Sequence, residues 1–256
     1  MALSYQQEII GIFSSPVKTF NKISQQPVRH FYWMIPLISM IVVTILSNIL
    51  IKSHPGIQWA DRESSIKALE KQLDQAVQKG MMTTAQKENQ LQAIETKLAQ
   101  EDPSRFITQS IFLLLSLSLN FFIASYVFLI FVKYFLEGKG KYINALIAYA
   151  VPLYIIIFQV IVVAVLSLIT ARHLSGTSIA AFVNANTSTI GGFILSKIDP
   201  FLIWFYCIVG IGFAKMFGTG SMNKYIGMVF LLWLGSGLLF FFIAKIIPSI
   251  RWIVSM

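Results

Sequence analysis

Five apolar stretches, each near or above the roughly 20 residues a helix needs to cross hydrocarbon, occupy more than half of this 256-residue chain. They run from Phe31 to Ile51, Phe106 to Val132, Tyr142 to Ala171, Pro200 to Phe217 and Tyr225 to Ile247. Segments of this kind can satisfy their backbone in lipid only as helices. The expected fold is therefore all-α, a polytopic membrane protein with five transmembrane helices. Hydrophobic residues make up 56% and charged residues 12%, against about 45–50% and about 25% in soluble domains, so the whole chain agrees with its longest runs. The net charge of +9 is spread between the spans without a basic, aromatic-interleaved run, which argues against a nucleic-acid partner. Cys207 is the single cysteine and lies inside a span, so no internal disulfide is available.

The residues before Phe31 lack the basic flank and cleavage pattern of a secretory signal, and the first span is expected to stay in the protein. Lys18, Lys22, Arg29, Lys133, Lys139, Lys141, Lys215 and Lys224 fall on one side; Arg172, Lys197, Lys245 and Arg251 fall on the other. That bias predicts a cytoplasmic amino terminus and an outer carboxyl terminus. The expected organisation is a cytoplasmic amphipathic segment over 1–30, a membrane domain over 31–51 and 106–247, an extracytoplasmic helical hairpin insert over 52–105, and a short outer tail over 248–256. Within the insert, from Trp59 to Gln100, Ile66, Leu69, Leu73 and Val77 recur at helical spacing, and Leu91, Ile94 and Leu98 repeat it after Gly80. Gly80 can end one helix in the left-handed conformation and Thr84 can cap the next. The hairpin is either a docking surface or a spacer.

Ser15 followed by Pro16 marks a helix start. The helix after it carries Val17, Phe20 and Ile23 on one face beside Lys18 and Lys22. Lys18, Phe20, Lys22 and Ile23 thus form a candidate membrane-surface segment resting in the headgroup layer; the compatible alternative is a helix folded against the bundle.

Gly11 to Ile23, with Pro16 and Phe20, resembles the opening of bacterial members of the Yip family of membrane proteins. Gly138 to Pro152, with Gly140, Tyr149 and Pro152, resembles that family's glycine-containing turn into a span. Asp199 to Gly212, with Trp204, followed by Lys224, resembles its fourth span. The similarity covers the chain except 52–105. It implies five spans and a cytoplasmic amino terminus, and for bacterial relatives an association with ABC-type exporters. The small-GTPase trafficking roles of eukaryotic relatives belong to a much longer cytoplasmic tail and are not carried over.

Intramembrane chemistry usually needs ionisable groups at depth. Glu137, Asp199, Lys215 and Lys245 are expected at span ends, His30, His54 and His173 are widely separated, and no HExxH or GxSxG motif occurs. The expectation is no enzyme, no catalytic or metal residue and no cofactor. The spans do carry neutral polar and helix-bending residues, Ser116, Asn120, Tyr149, Pro152 and Gln159, readable as a polar path or as helix packing. The loop from His173 to Ile198 is expected to pack as short helices at the outer interface. The leading reading is a non-enzymatic scaffold or accessory subunit in what is expected to be a bacterial cytoplasmic membrane. Its partners would be the bilayer, other membrane proteins and, as a homo-oligomer, itself. The alternative is a small transporter, channel or lipid-moving protein acting as an oligomer.

Overall fold

A computed structural model describes residues 5–99, 103–218 and 221–246. Leu98 belongs to a helix but its side chain lies outside the described residues, as does the 248–256 tail. Among the described residues the secondary structure is helical. Two short helices, α1 (Tyr5–Ser14) and α2 (Pro16–Gln25), precede the first span, α3 (Phe31–Ser53). The insert forms α4 (Pro55–Gln78) and α5 (Thr84–Ala99). The second span is α6 (Pro103–Phe135), and the third is split into α7 (Tyr142–Ala150) and α8 (Leu153–Thr170). Short helices α9 (Ile179–Phe182) and α10 (Ile190–Lys197) lead into α11 (Pro200–Phe217), and α12 (Met222–Ile246) is the last. Among the described residues, five helical segments are long and apolar enough to cross a membrane.

The hairpin follows its hydrophobic stripe. Leu73 is buried and Ile66, Leu69, Val77, Leu91 and Ile94 are half-buried between α4 and α5. Gly80 takes φ +69° as expected. Two details differ. The first helix begins at Pro55 rather than Trp59, because proline at the first helical position forfeits no hydrogen bond. The second is capped by Thr83, not Thr84: the Gln86 N–H donates to Thr83 Oγ1 at 3.3 Å and the Thr83 N–H donates to Gln86 Oε1 at 2.9 Å, a reciprocal capping box. On the solvent side Lys87 pairs with Asp74, whose hydrogen bond holds the ammonium above its usual pKa.

α11 is the centre of the bundle. Its span is 56% buried, whereas that of α12 is 11% buried. It packs on α12, α7, α2 and α8. Two glycines set how closely its neighbours come. A Cβ on Gly210 would lie 2.6 Å from the Ile226 Cα, so α12 crosses α11 with backbones nearly touching. A Cβ on Gly212 would lie 2.8 Å from the Ala148 carbonyl oxygen and 2.8 Å from Phe20 Cζ. Pro152 has no N–H to offer Ala148 four residues earlier, and that carbonyl is the one Gly212 approaches.

Phe20 and Ile23 therefore lie in the bundle core, not on a headgroup-facing surface, while Lys18 and Lys22 remain exposed. The packing alternative for α2 describes its apolar face, because a glycine on α11 leaves a slot that a phenylalanine ring fills. Ser15 makes no side-chain cap; its carbonyl instead accepts from the Thr19 N–H at 3.0 Å and from Thr19 Oγ1 at 3.1 Å. Phe20→Ala should cost about 3–5 kcal/mol in thermal unfolding of the detergent-solubilised protein. Lys18→Glu with Lys22→Glu should leave that unfolding nearly unchanged, the contrast that separates packing from surface charge.

Candidate functional site

The fourth span, α11, is preceded by the short helix α10 across a sharp turn. α10 ends at Lys197, Ile198 turns the chain at φ −86° and ψ 81°, and α11 starts at Pro200 with Asp199 as its N-cap. The Ile179 N–H donates to the Ile198 carbonyl at 3.1 Å, so the loop carrying α9 closes one side of the break.

Asp199 is bonded to Gln159, and beyond Gln159 α8 continues to Thr170 for about 16 Å. Ile161, Val165 and Ile169 in that stretch are exposed apolar groups, as a lipid-facing surface requires. On α12, Lys224 and Lys245 bracket about 30 Å of helix, one hydrocarbon thickness. Lys197 packs against Trp233 and Gly237, between those limits. Asp199 sits at the end of a span, as expected: it caps α11, whose run from Pro200 to Phe217 is by itself long and apolar enough to cross a membrane. The His173 to Ile198 segment forms short helices, as expected; α9 and α10 pack on each other, and Lys197 reaches across to α12. Thr177 reaches Gln159 because the chain after Ala171 turns back along α8, with the Leu174 N–H donating to Ser167 Oγ at 3.2 Å.

Asp199 is 2% exposed and fully engaged. Its Oδ1 accepts from the N–H groups of Phe201 at 2.9 Å and Leu202 at 3.2 Å. Thr177 Oγ1 lies 2.9 Å from Oδ1 and 2.8 Å from Oδ2, and Gln159 Nε2 donates to Oδ2 at 3.0 Å. Two backbone amides at a helix start, a hydroxyl and a side-chain amide thus surround one carboxylate, and the positive end of α11 points at it. The arrangement pins three separate pieces of chain, α8, the loop before α9, and α11, to one buried acceptor.

Lys197 faces the other way. Its Nζ lies 5.2 Å from the Phe193 ring centroid and 5.9 Å from that of Trp233, and Trp233 stacks on Tyr206 at 4.5 Å. A Cβ on Gly237 would lie 3.2 Å from Lys197 Cε, so the absence of a side chain there is what lets the lysine lie across α12.

The neutral polar residues anticipated as one path occupy separate surroundings. Gln159 belongs to the Asp199 cluster. Tyr149 is enclosed by the rings of Phe121, Phe128 and Phe205, with centroids 5.5–5.8 Å away. Ser116 is half-buried on α6, and Asn120 is exposed on the outside of that helix. Pro152 marks the α7–α8 joint. A crevice lined by Glu8, Ile9, Ile23, Tyr32, Val151 and Tyr154 holds about 10 Å³, about the room for one water, and touches none of the anticipated path residues. There Tyr32 donates to Glu8 Oε1 at 3.1 Å.

The remaining singled-out residues pack. Pro16 opens α2, and Gly140 lies against the Phe217 ring, which a Cβ would meet at 2.6 Å. The Trp204 ring lies 5.6 Å from that of Phe13. Lys224 is exposed at the start of α12. Thr177 and Trp233 were not singled out by the sequence, and Lys197 was counted only as an outer-side base. The available signal was a Lys-Ile-Asp-Pro string with apolar runs on both sides, Ile190 to Leu195 and Phe201 to Val209, the pattern of an interrupted span.

The Yip1 domain family model matches residues 10–244. No curated protein and no solved structure shows a significant match to the chain.

Proposed function

Because the chain belongs to the Yip1 domain family, and so to a family of integral membrane proteins, we propose that it is a non-enzymatic scaffold or accessory subunit that assembles with other membrane proteins through its lipid-facing helices. The observation that carries this reading is Asn120. It lies near the middle of the second span on an exposed face shared with Ile123 and Val127, and among the described residues its amide has no hydrogen-bond partner. An unpaired amide facing hydrocarbon is costly, and a neighbouring helix that bonds to it removes the cost. An ABC-type exporter, the association implied by the resemblance to bacterial relatives, is the first candidate partner, and a second copy the next.

The excess of Lys and Arg on its side supports a cytoplasmic amino terminus, with α4 and α5 outside, and the resemblance to bacterial relatives supports a bacterial cytoplasmic membrane. The exposed Lys18 and Lys22 would then face the anionic inner leaflet. The transport reading draws on one observation, the helix break at Asp199, since broken spans house substrate sites in many transporters. The engagement of that carboxylate by four groups of the chain itself favours a structural role.

The test has two arms. In native gels of membranes containing the full chain, Asn120→Leu should weaken the large complex roughly 3- to 30-fold, as expected for one interhelical hydrogen bond, with Asn120→Gln closer to the parent. In proteoliposomes the purified chain should move neither ions nor lipid above empty vesicles. Flux abolished by Gln159→Leu would replace the scaffold reading with the transport one.

A further inference from the structure

We propose that α6 is the seam of a parallel homodimer, in which Asn120 of one copy bonds to Asn120 of the other. This inference rests on the assembly reading above and, of its candidate partners, selects a second copy for this face.

Three observations converge. First, the face has a coiled-coil period. Gln109, Leu113, Ser116, Asn120, Ile123 and Val127 follow one another in alternating steps of four and three residues, the spacing of successive d and a positions. The same spacing serves the left-handed crossings usual between transmembrane helices. None of the six is buried, and Ile123 is 54% exposed. Second, the seam points away from its own bundle. It lies roughly 150° around the helix, at about 100° per residue, from Phe121, Ser125, Phe128 and Val132, the buried side of α6. Gln109, at one end of the seam, accepts from Lys52 Nζ. Third, the seam carries an amide at an a position, and among the described residues that amide has no hydrogen-bond partner. Asparagine at this position is the residue that fixes register and oligomer state in coiled coils. Ser116, one turn before it, leaves the room that close helix approach requires.

The amide selects its partner. It has one donor group and one acceptor, and across a two-fold axis its own image presents the same pair reversed, so two identical bonds close together. Copies of one chain enter a membrane in the same orientation. Their α6 helices are therefore parallel when paired along this seam, and Asn120 is level with its counterpart whatever its depth. A foreign helix would have to bring a matching group to that level; a second copy does so by symmetry.

The experiment is disulfide scanning of the full chain in its own membranes, with Cys207→Ala removing the native thiol. Single cysteines replace Ser116, Ile123 and Val127 on the seam, and Ile111 and Leu115 as exposed controls elsewhere on α6. After mild oxidation the seam positions should give a band of twice the chain's mass roughly tenfold stronger than the controls, since thiols on diverging faces cannot be bridged. Asn120→Leu in the Ile123→Cys chain should weaken that band roughly 3- to 30-fold, and Asn120→Gln should keep most of it. Equal bands at seam and control positions overturn the proposal. So does a band indifferent to Asn120→Leu, or a seam cysteine linked to a different protein in place of a second copy. An Asn120-dependent complex in native gels without a link between copies at any seam position sinks this proposal and leaves the assembly reading standing; no complex in either measurement sinks both.

Discussion

Asp199→Ala is expected to destabilise the protein by about 3–5 kcal/mol, measured by thermal or denaturant unfolding in a fixed detergent. The change removes the cap of α11, worth about 0.5–2 kcal/mol. It also strands the Thr177 hydroxyl and the Gln159 amide without their acceptor, at about 1–3 kcal/mol for each buried group. Asp199→Asn should cost about 1–2 kcal/mol, within the range of a single buried hydrogen bond. Its carbonyl oxygen can still cap Phe201 and Leu202, and Gln159 can turn to present oxygen to the new amide. Gln159→Leu combined with Asp199→Ala should cost less than the two changes summed, since both remove the same bond. Parent-like stability of Asp199→Ala would show that the cluster does not hold the break together, and would return Asp199 to consideration as a transport residue.

Gly210→Val should be similarly severe, about 3 kcal/mol at the upper end of overpacking costs. The added Cβ falls 2.6 Å from the Ile226 Cα and 3.0 Å from its nitrogen, and backbone atoms cannot rotate away as a flexible side chain can. Relief requires α12 to move off α11, which opens the largest helix contact in the bundle. Gly227→Ala is the control on the facing helix. A Cβ there meets nothing within 4 Å, and the better helix former should leave stability unchanged or raise it by about 1 kcal/mol. Equal unfolding of the Gly210 and Gly227 variants would contradict the close crossing.

What could be read along the chain without coordinates was whatever depends on neighbours in sequence. The spans were legible because the apolar length that lipid demands is a property of a continuous run. The hairpin was legible because its stripe is periodic and Gly80 is a local conformational signal. The slip from Thr84 to Thr83 shows the limit of such local reading: two adjacent threonines offer the same oxygen, and only Gln86 completing the box from Thr83 distinguishes them.

Tertiary structure decided what each apolar or charged face meets. Periodicity gave α2 an apolar face without saying whether lipid or protein covers it; Phe20 is buried because Gly212, nearly two hundred residues away, leaves room for the ring. Asp199 read as a span end and Lys197 as an outer-side base, with nothing to show what holds either of them. The packed structure supplies that: Thr177 and Gln159 arrive from other segments to satisfy the carboxylate, while Phe193, Trp233 and Gly237 accommodate the lysine. Hydropathy can measure the length of a span, but the cost of a buried charge depends on partners brought from elsewhere in the chain, and that information exists only once the helices have packed.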